Sequence, residues 1–329
     1  MNRRTTLGAA LAAPALLAAR PALAQPAAAP APGPAPGPAQ APGFYRFRVG
    51  EIVVTTVYDG FVRRNDIRTQ LGINATPDEI QAVLDANGLP ATGIQNPYIV
   101  TFLQTPRGVV ALDAGTGAGQ LGPGTGLMPQ NMAAAGIRPE DVTLVCVSHF
   151  HGDHITGLTT AENQPFFPNA EIAVPAREWA WFSDEANAAR SPQQQRGTFP
   201  NTQRRFGPLR ARMRVFEGEP EVAPGIRAIA TPGHTPGHTA YHIASGNEQM
   251  FYTADASSRP DIFLRQLGWW SMFDFDGQMA IETRRRLFDR IAAERALMTA
   301  YHFTFPGAGR VVRDGNAFRF VPVEWSSAV

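Results

Sequence analysis

Residues 148–154 read Ser148-His149-Phe150-His151-Gly152-Asp153-His154, which places three imidazoles and one carboxylate within six consecutive positions. A buried His or Asp costs free energy unless it is paired, so packing alone does not account for that density. The preceding run, residues 142–147, is Val-Thr-Leu-Val-Cys-Val, a short β-branched stretch of the kind that forms a strand buried on both faces. The polar cluster therefore falls on a loop at the end of a buried strand, where α/β sheets place their active sites. His149 and His151 can reach one centre while Asp153 and His154 turn towards a second. Neutral imidazole with one carboxylate suits zinc or another borderline divalent metal. The bland alternative is a surface loop that happens to be rich in His. The density argues for a metal site.

Working outward, three more ligand-type residues follow predicted strands. His234 lies in Thr231-Pro232-Gly233-His234-Thr235-Pro236-Gly237-His238, after a strand expected at 226–230, and the flanking Pro-Gly pairs make a rigid turn. Asp255 follows a strand expected at 249–253, and His302 follows one at 297–300. Singly, His234 could cap a turn, Asp255 could cap a helix and His302 could be a satisfied core histidine. Together with the 149–154 loop, they point to one shared site. Further strands are expected at 51–58, 98–103, 109–112, 171–174, 239–244 and 317–323. Helices are expected at 76–86, opened by a Thr76/Glu79 capping box and ended by Gly88, at 125–135, at 176–187 and at 277–294. In the last of these, Met279, Ile281, Leu287, Phe288 and Ile291 are available for the buried side. Strands before and after two helical clusters imply two packed sheets with helices outside.

The His-x-His-x-Asp-His run with a later His, Asp and His resembles the metallo-β-lactamase fold superfamily, and the likeness covers the whole folded region. It implies an α/β (α+β) four-layer αββα sandwich. It also implies one metal on His149, His151 and His234 and a second on Asp153, His154 and His302, with Asp255 bridging. Asp113, in Leu112-Asp113-Ala114-Gly115, and Asp59, in Tyr58-Asp59-Gly60, match positions that orient ligands and hold the loops. His238 is expected either to do the same or to stabilise its turn. The cofactors implied are two divalent ions, zinc first and manganese, cobalt or iron as substitutes. Two ions about 3.5–4 Å apart stabilise an attacking and a developing oxygen at once, and lower the pKa of water to roughly 7. A metal-bridging hydroxide would then attack, with Asp153 and Asp255 as the catalytic carboxylates and Asp153 helping to move a proton.

A narrower likeness rests on Ala41-Pro42-Gly43-Phe44-Tyr45-Arg46, on residues 233–239, and on Phe305-Pro306-Gly307-Ala308-Gly309 with residues 318–323. These look like the methyl parathion hydrolase group, which implies an exported homodimeric hydrolase of aryl phosphotriesters, aryl esters or lactones. The leaving-group pocket of that group is aromatic. The residues expected to line it here are Phe150, Trp179, Trp181, Phe182, Phe199, Trp269 and Trp270, with Leu121 where a ring would be expected, so an apolar small-molecule substrate is implied. The competing readings are a glyoxalase II-like thioesterase, for which arginines near the metals would speak, a β-lactamase, an iron redox enzyme and a non-catalytic metal-binding protein. Asp153 and the bridging Asp255 argue against the β-lactamase.

The rest of the chain narrows the class. Arg3-Arg4 before an Ala/Leu-rich run to Leu23, with Ala22-Leu23-Ala24 as a cleavage site, reads as an export signal over residues 1–24. The paired arginines resemble a twin-arginine signal, which implies a periplasmic or secreted protein. Pro14 and Arg20 interrupt the apolar run, so it is not expected to anchor the chain in a membrane. Residues 25–43 are Pro, Ala, Gly and Gln almost throughout, a flexible spacer, and the expected single domain runs over 44–329. Every one of the 29 basic residues is an arginine, and three of them lie in the signal, leaving 26 against 28 acidic residues, a formal charge of −2. No basic stripe is present, which excludes nucleic acid as an expected partner. Cys146 is the one cysteine, so no internal disulfide can form, and its strand position implies a small buried side chain. Arg259, Arg265 and Arg284-Arg285-Arg286 are expected on the surface, solvated or salt-bridged.

Overall fold

The computed structural model describes residues 40–329, Asp66 and Ala91 excepted. The expected signal and most of the expected spacer lie outside the described residues. Two seven-stranded sheets follow chain order. The first holds β1 (Phe44–Val49), β2 (Ile52–Arg64), β3 (Ile94–Thr105), β4 (Gly108–Leu112), β5 (Val142–Cys146), β6 (Glu171–Pro175) and β7 (Met213–Phe216). The second holds β8 (Glu221–Ala223), β9 (Ile226–Ala230), β10 (Thr239–Ser245), β11 (Glu248–Tyr252), β12 (Leu297–Thr299), β13 (Ala308–Asp314) and β14 (Ala317–Pro322). Both are mixed: β1 to β4 pair antiparallel and β4 to β7 parallel, whereas in the second sheet only β11 and β12 pair parallel.

Alternation along the strands decides which layer each side chain enters. Tyr241 and Ile243 of β10, with Met250 and Tyr252 of β11, share one core with Val54, Val100, Val145 and Ala173 of the first sheet. Their neighbours Ala240, Phe251 and Met298 face the other way and pack on Leu287, Phe288 and Ile291 of a helix outside the second sheet. The helices are α1 (Pro77–Ala86), α2 (Met128–Ala134), α3 (Gly152–Ile155), α4 (Ala176–Phe182), α5 (Thr198–Phe206), α6 (Pro260–Phe263) and α7 (Gly277–Ala293). Burying each of the three large α7 side chains contributes ~1.5–3 kcal/mol, so Phe288→Ala is expected to detach this layer first. Sheets between helical layers match the expected sandwich.

Local expectations fared unevenly. The Thr76/Glu79 capping box forms and α1 spans Pro77–Ala86. Strand β3 runs through Pro97 to start at Ile94, longer than expected, because β2 itself continues past an irregularity at Tyr58/Gly60 to reach it. The helix expected at 125–135 starts at Met128, since Thr125 instead bridges to Gly60. The helix expected at 176–187 stops at Phe182, where Asp184 accepts from Ala186 N and opens a separate 3₁₀ turn. Two arginines expected at the surface are buried. Arg284, 2% exposed, donates to the carbonyls of Ala256 and Trp269, and Arg259 pairs with Asp261. Arg265 is surface and pairs with Asp314.

Candidate metal centre

The parallel pairs β4/β5 and β11/β12 deliver their C-terminal ends to one edge of the sandwich. Asp113 follows β4, residues 148–154 follow β5, Asp255 follows β11 and His302 follows β12. The two sheets are tied at that edge by Thr239 N donating to Ser148 O at 2.9 Å and by Tyr252 Oη donating to Asp113 Oδ2 at 2.6 Å. His234 reaches the same place from the turn after β9. That turn needs Gly233 at φ 130°, where a Cβ would also lie 2.3 Å from Ala280 N, and only glycine tolerates both.

The ligand-type atoms fall into two groups, His149, His151, His234 and Asp255, and Asp153, His154, Asp255 and His302. Asp255 belongs to both. In the first group His151 Nδ1 lies 3.1 Å from His149 Nε2 and 3.0 Å from His234 Nε2, and Asp255 Oδ2 lies 3.3 Å from His234 Nε2. In the second, Asp153 Oδ2 lies 3.5 Å from His154 Nε2 and 3.3 Å from His302 Nε2, and Asp255 Oδ1 lies 3.4 Å from His154 Nε2. Ligands ~2.0–2.1 Å from a tetrahedral ion sit ~3.3 Å apart, so both groups fit a divalent cation.

Hydrogen bonds behind the rings decide which nitrogen is free. His154 Nδ1 donates to Asp113 Oδ2 at 2.7 Å, and His302 Nδ1 to the Pro97 carbonyl at 2.8 Å. His234 Nδ1 donates to Asp274 Oδ1 at 2.8 Å. Ser148 Oγ gives its proton to Asp113 Oδ2 at 2.6 Å and so accepts from His149 Nδ1 at 3.0 Å. Each of these four rings therefore turns an Nε2 lone pair inward, the arrangement metal-ligating imidazoles adopt. His154 Nε2 and Asp255 Oδ1 are buried with no hydrogen-bond partner. Such orphaned atoms are costly, and a shared cation satisfies both.

Charge follows the same logic. Burial pushes His149 well down and His151 down to about 3, in each case with a neighbouring imidazole adding to the effect. Burial also opposes the charged forms of His154, His234 and His302, but the carboxylates win. Asp255, Asp153 and Asp113 raise His154, Asp255 and Asp274 raise His234 to about 9, and Asp255 with Asp153 raises His302 to about 9. Despite burial, Asp153 and Asp255 are held low by His154 and His302. The carboxylates thus hold positive charge at the centre, and a proton on His154 Nε2 would have no partner to donate to.

The supporting residues divide into expected and unexpected. Asp113 accepts from Ser148 N, Ser148 Oγ, His154 Nδ1 and Tyr252 Oη, which stabilises its own backbone at φ 65°. Asp59 touches no ligand. It accepts from Thr116 N and Oγ1 and from Met128 N, and burial raises it to about 6, so its place is to hold loops. His238 accepts from Asp255 N on Nε2 and donates from Nδ1 to Thr231 O. Both ring nitrogens are committed in the neutral form, and burial takes its pKa down to about 3. Asp274 and Glu178 were not foreseen. Glu178 accepts from Phe150 N, Thr235 Oγ1 and Gly237 N, which ties the two ligand loops together. Burial raises it to about 7. Cys146 is buried and its thiol raised by burial, so it is no nucleophile.

A cavity of about 470 Å³ opens onto His151, Asp153, His234, Asp255 and His302. Of the residues expected to line it, only Leu121 does. Phe150 packs on Phe206 at 4.6 Å, Phe182 on Phe199 at 5.1 Å and Trp179 on Phe206 at 5.6 Å, in a core between α4 and α5. Trp181 packs on Phe275, Trp269 joins the cluster around α1, and the Gly277 backbone lies against Trp270. The rings follow helical packing and leave the cavity to polar side chains, among them Gln120, Gln194, Gln195, Asn201 and Arg205, with Tyr98 and Phe273 as its rings. Gln195 donates to the carbonyls of His234 and Phe273 and leaves its buried Oε1 unpartnered.

Known proteins agree with this architecture. The N-acyl homoserine lactonase of Bacillus cereus is 27% identical over 168 residues, 51% of this chain and 58% of that protein, and a lactonase of the same name from a Bacillus species matches to the same extent. The chain thus spans little more than half the length of the curated relatives it matches. Among solved structures, the hydrolase AbOPH of the beta lactamase superfamily superposes with a TM-score of 0.82 at 23% identity, covering 88% of this chain and 100% of that one. AidC, a dizinc quorum-quenching lactonase, superposes with a TM-score of 0.79 at 23% identity, covering 87% and 99%. At that identity the superpositions speak for the fold alone. A family model described as the metallo-beta-lactamase superfamily matches residues 92–295, a span that carries six of the seven clustered residues, with His302 lying just beyond it, and the chain belongs to that superfamily.

Proposed function

We propose that this chain is an exported, dinuclear metal-dependent hydrolase that opens lactones and cleaves carboxylic esters, with zinc as its metal. The observation that carries the reading is Asp255, whose two oxygens serve both ligand groups. The lactonase relatives favour lactones among the possible substrates. When bound, two divalent ions polarise a carbonyl and make hydroxide available at neutral pH. The chain supplies the rest. Asp153, its side chain 19% exposed, is with His151 one of the two clustered residues that are not fully buried and is placed to pass a proton to the leaving oxygen. Tyr98 lines the cavity beside His302, with ring centroids 5.5 Å apart. Burial raises its phenol, so it stays a hydrogen-bond donor towards a substrate oxygen. The proposal extends to aryl phosphotriesters, to export by the twin-arginine route and to a homodimer. Among the described residues no helix is long and apolar enough to cross a membrane.

The glyoxalase II-like thioesterase reading has one observation in its favour, Arg64 and Arg205 in the cavity. The test is hydrolysis by the purified protein of an acyl-homoserine lactone, an aryl ester, an aryl phosphotriester and a glutathione thioester, before and after chelation. Metal-dependent turnover led by the lactone is the expected result. A lead by the thioester would replace the reading, and no turnover with two metals bound would end it.

A further inference from the structure

One member of the polar cavity wall is out of place on energetic grounds. Arg205, on α5, is 3% exposed, yet it lines the cavity. Its Nε donates to Asn201 Oδ1 at 3.0 Å and its Nη1 to Thr159 Oγ1 at 2.8 Å, both neutral acceptors. Among the described residues no carboxylate pairs with it and its Nη2 group has no acceptor. Burial lowers it to about 10, and the one other charge acting on it is the like charge of Arg204. A guanidinium carries five N–H donors, so most of its hydrogen-bonding capacity is unspent. A buried charge is costly unless it is paired. A merely structural arginine on this helix would be expected to bring a carboxylate with it, as Arg259 does with Asp261. A second cation, Arg64, lines the same cavity with its guanidinium 4.6 Å from the centre of the Phe273 ring. The carboxylates lining the cavity, Asp153 and Asp255, both belong to the metal groups.

We propose that Arg205 pairs with a carboxylate carried by the substrate away from the bond that is cut, so that between two substrates with the same reacting group the enzyme prefers the anionic one. The planar guanidinium fork matches two carboxylate oxygens, and the polar side chains around it, Gln194, Gln195 and Asn201, offer further hydrogen bonds. The inference rests on the hydrolase reading above and refines its substrate.

The test compares mono(para-nitrophenyl) glutarate with its methyl ester on the zinc-loaded protein. The free acid is expected to have a kcat/KM about tenfold to a hundredfold higher, expressed mainly in KM, as a charge-assisted hydrogen bond implies. Arg205→Met is expected to bring that ratio close to one, and Arg205→Lys to leave an intermediate ratio. A purely structural role for Arg205 would lower both rates together and leave the ratio alone. Equal turnover of the two esters by the parent protein overturns the proposal while the hydrolase reading stands. If neither ester is turned over with two metals bound, the ester part of the hydrolase reading fails, and binding decides separately. Succinate, glutarate and adipate are then compared with their monoamides by calorimetry, in the parent and in Arg205→Met. At least one diacid is expected to bind about tenfold more tightly than its monoamide, only in the parent. Equal binding by diacid and monoamide at every length overturns the proposal.

Discussion

The two ends of the cavity are built in opposite ways. At the metal end the atoms left without a partner, His154 Nε2 and Asp255 Oδ1, point at the place for an ion, and the groups behind them are fully engaged: Asp113 alone receives four hydrogen bonds, and the rings of His149, His154, His234 and His302 are each held from behind. At the wall lined by Gln194, Gln195 and Arg205, the buried Gln195 Oε1 has no partner, Arg205 donates to neutral acceptors alone, and Gln194 is exposed. The metal end is over-determined because ligand positions off by a fraction of an ångström cost affinity. The wall keeps spare donors and acceptors because a substrate satisfies them. Substitutions at the first region should therefore change metal content and stability, whereas those at the second should change substrate preference with little effect on either.

That contrast can be broken in order of effect. Asp255→Asn is expected to lower lactone or ester hydrolysis about a thousandfold or more, the equivalent of ~4 kcal/mol, and to reduce bound metal, which elemental analysis reads directly. Asp113→Ala strands four buried donors, each costing ~1–3 kcal/mol. Its melting temperature is expected to fall by on the order of 10 °C or more, or the protein to be insoluble. Among the clustered residues Asp274 holds His234 alone, so in Asp274→Asn metal affinity is expected to fall about 10- to 100-fold at one group and to hold at the other, as competition with a chelator would show. A loss at both groups would mean that they are not separable.

A pH test follows from His238. Its folded pKa is about 3 against an ordinary 6.5, so the unfolded chain binds a proton that the folded chain refuses. Its contribution to stability is complete above pH 6.5 and is lost as pH falls towards 3, by about 1.4 kcal/mol per pH unit within that window. Denaturant unfolding of His238→Gln should show a shallower acid slope than the parent, and identical slopes would contradict the neutral ring. At the small end, Gln194→Ala on the cavity wall is expected to stay within ~0.5 kcal/mol of the parent in stability and to alter KM alone.

How much of this was legible in the sequence depended on distance along the chain. That these seven residues come together was readable because four of them crowd one loop and the others each follow a strand end, so local pattern carried the cluster. The two-sheet architecture was readable for the same reason, from β-branched runs such as residues 142–146. Asp274 and Glu178 were not. Each is an acidic side chain that meets its partners far along the chain, His234 40 positions away for one and Thr235 and Gly237 57 and 59 positions away for the other, and nothing nearby marks it. The aromatic residues misled, because Trp179 and Phe182 on a short helix look alike whether they line a pocket or pack beneath one. Helix α5 passed unnoticed for the opposite reason. Its run Thr-Phe-Pro-Asn-Thr-Gln-Arg-Arg-Phe has only two large apolar side chains, and its buried face, Thr198, Phe199, Thr202, Arg205 and Phe206, is mostly polar, as the cavity needs.

The central claim is that two metals share Asp255 and that hydrolysis depends on both. Its most direct test titrates the chelated protein with zinc while bound metal and lactone or ester hydrolysis are followed together. Activity is expected to appear as the second equivalent binds, and the Asp255→Asn variant to show neither full occupancy nor activity. Full activity in the chelated protein, or in the variant, would contradict the account.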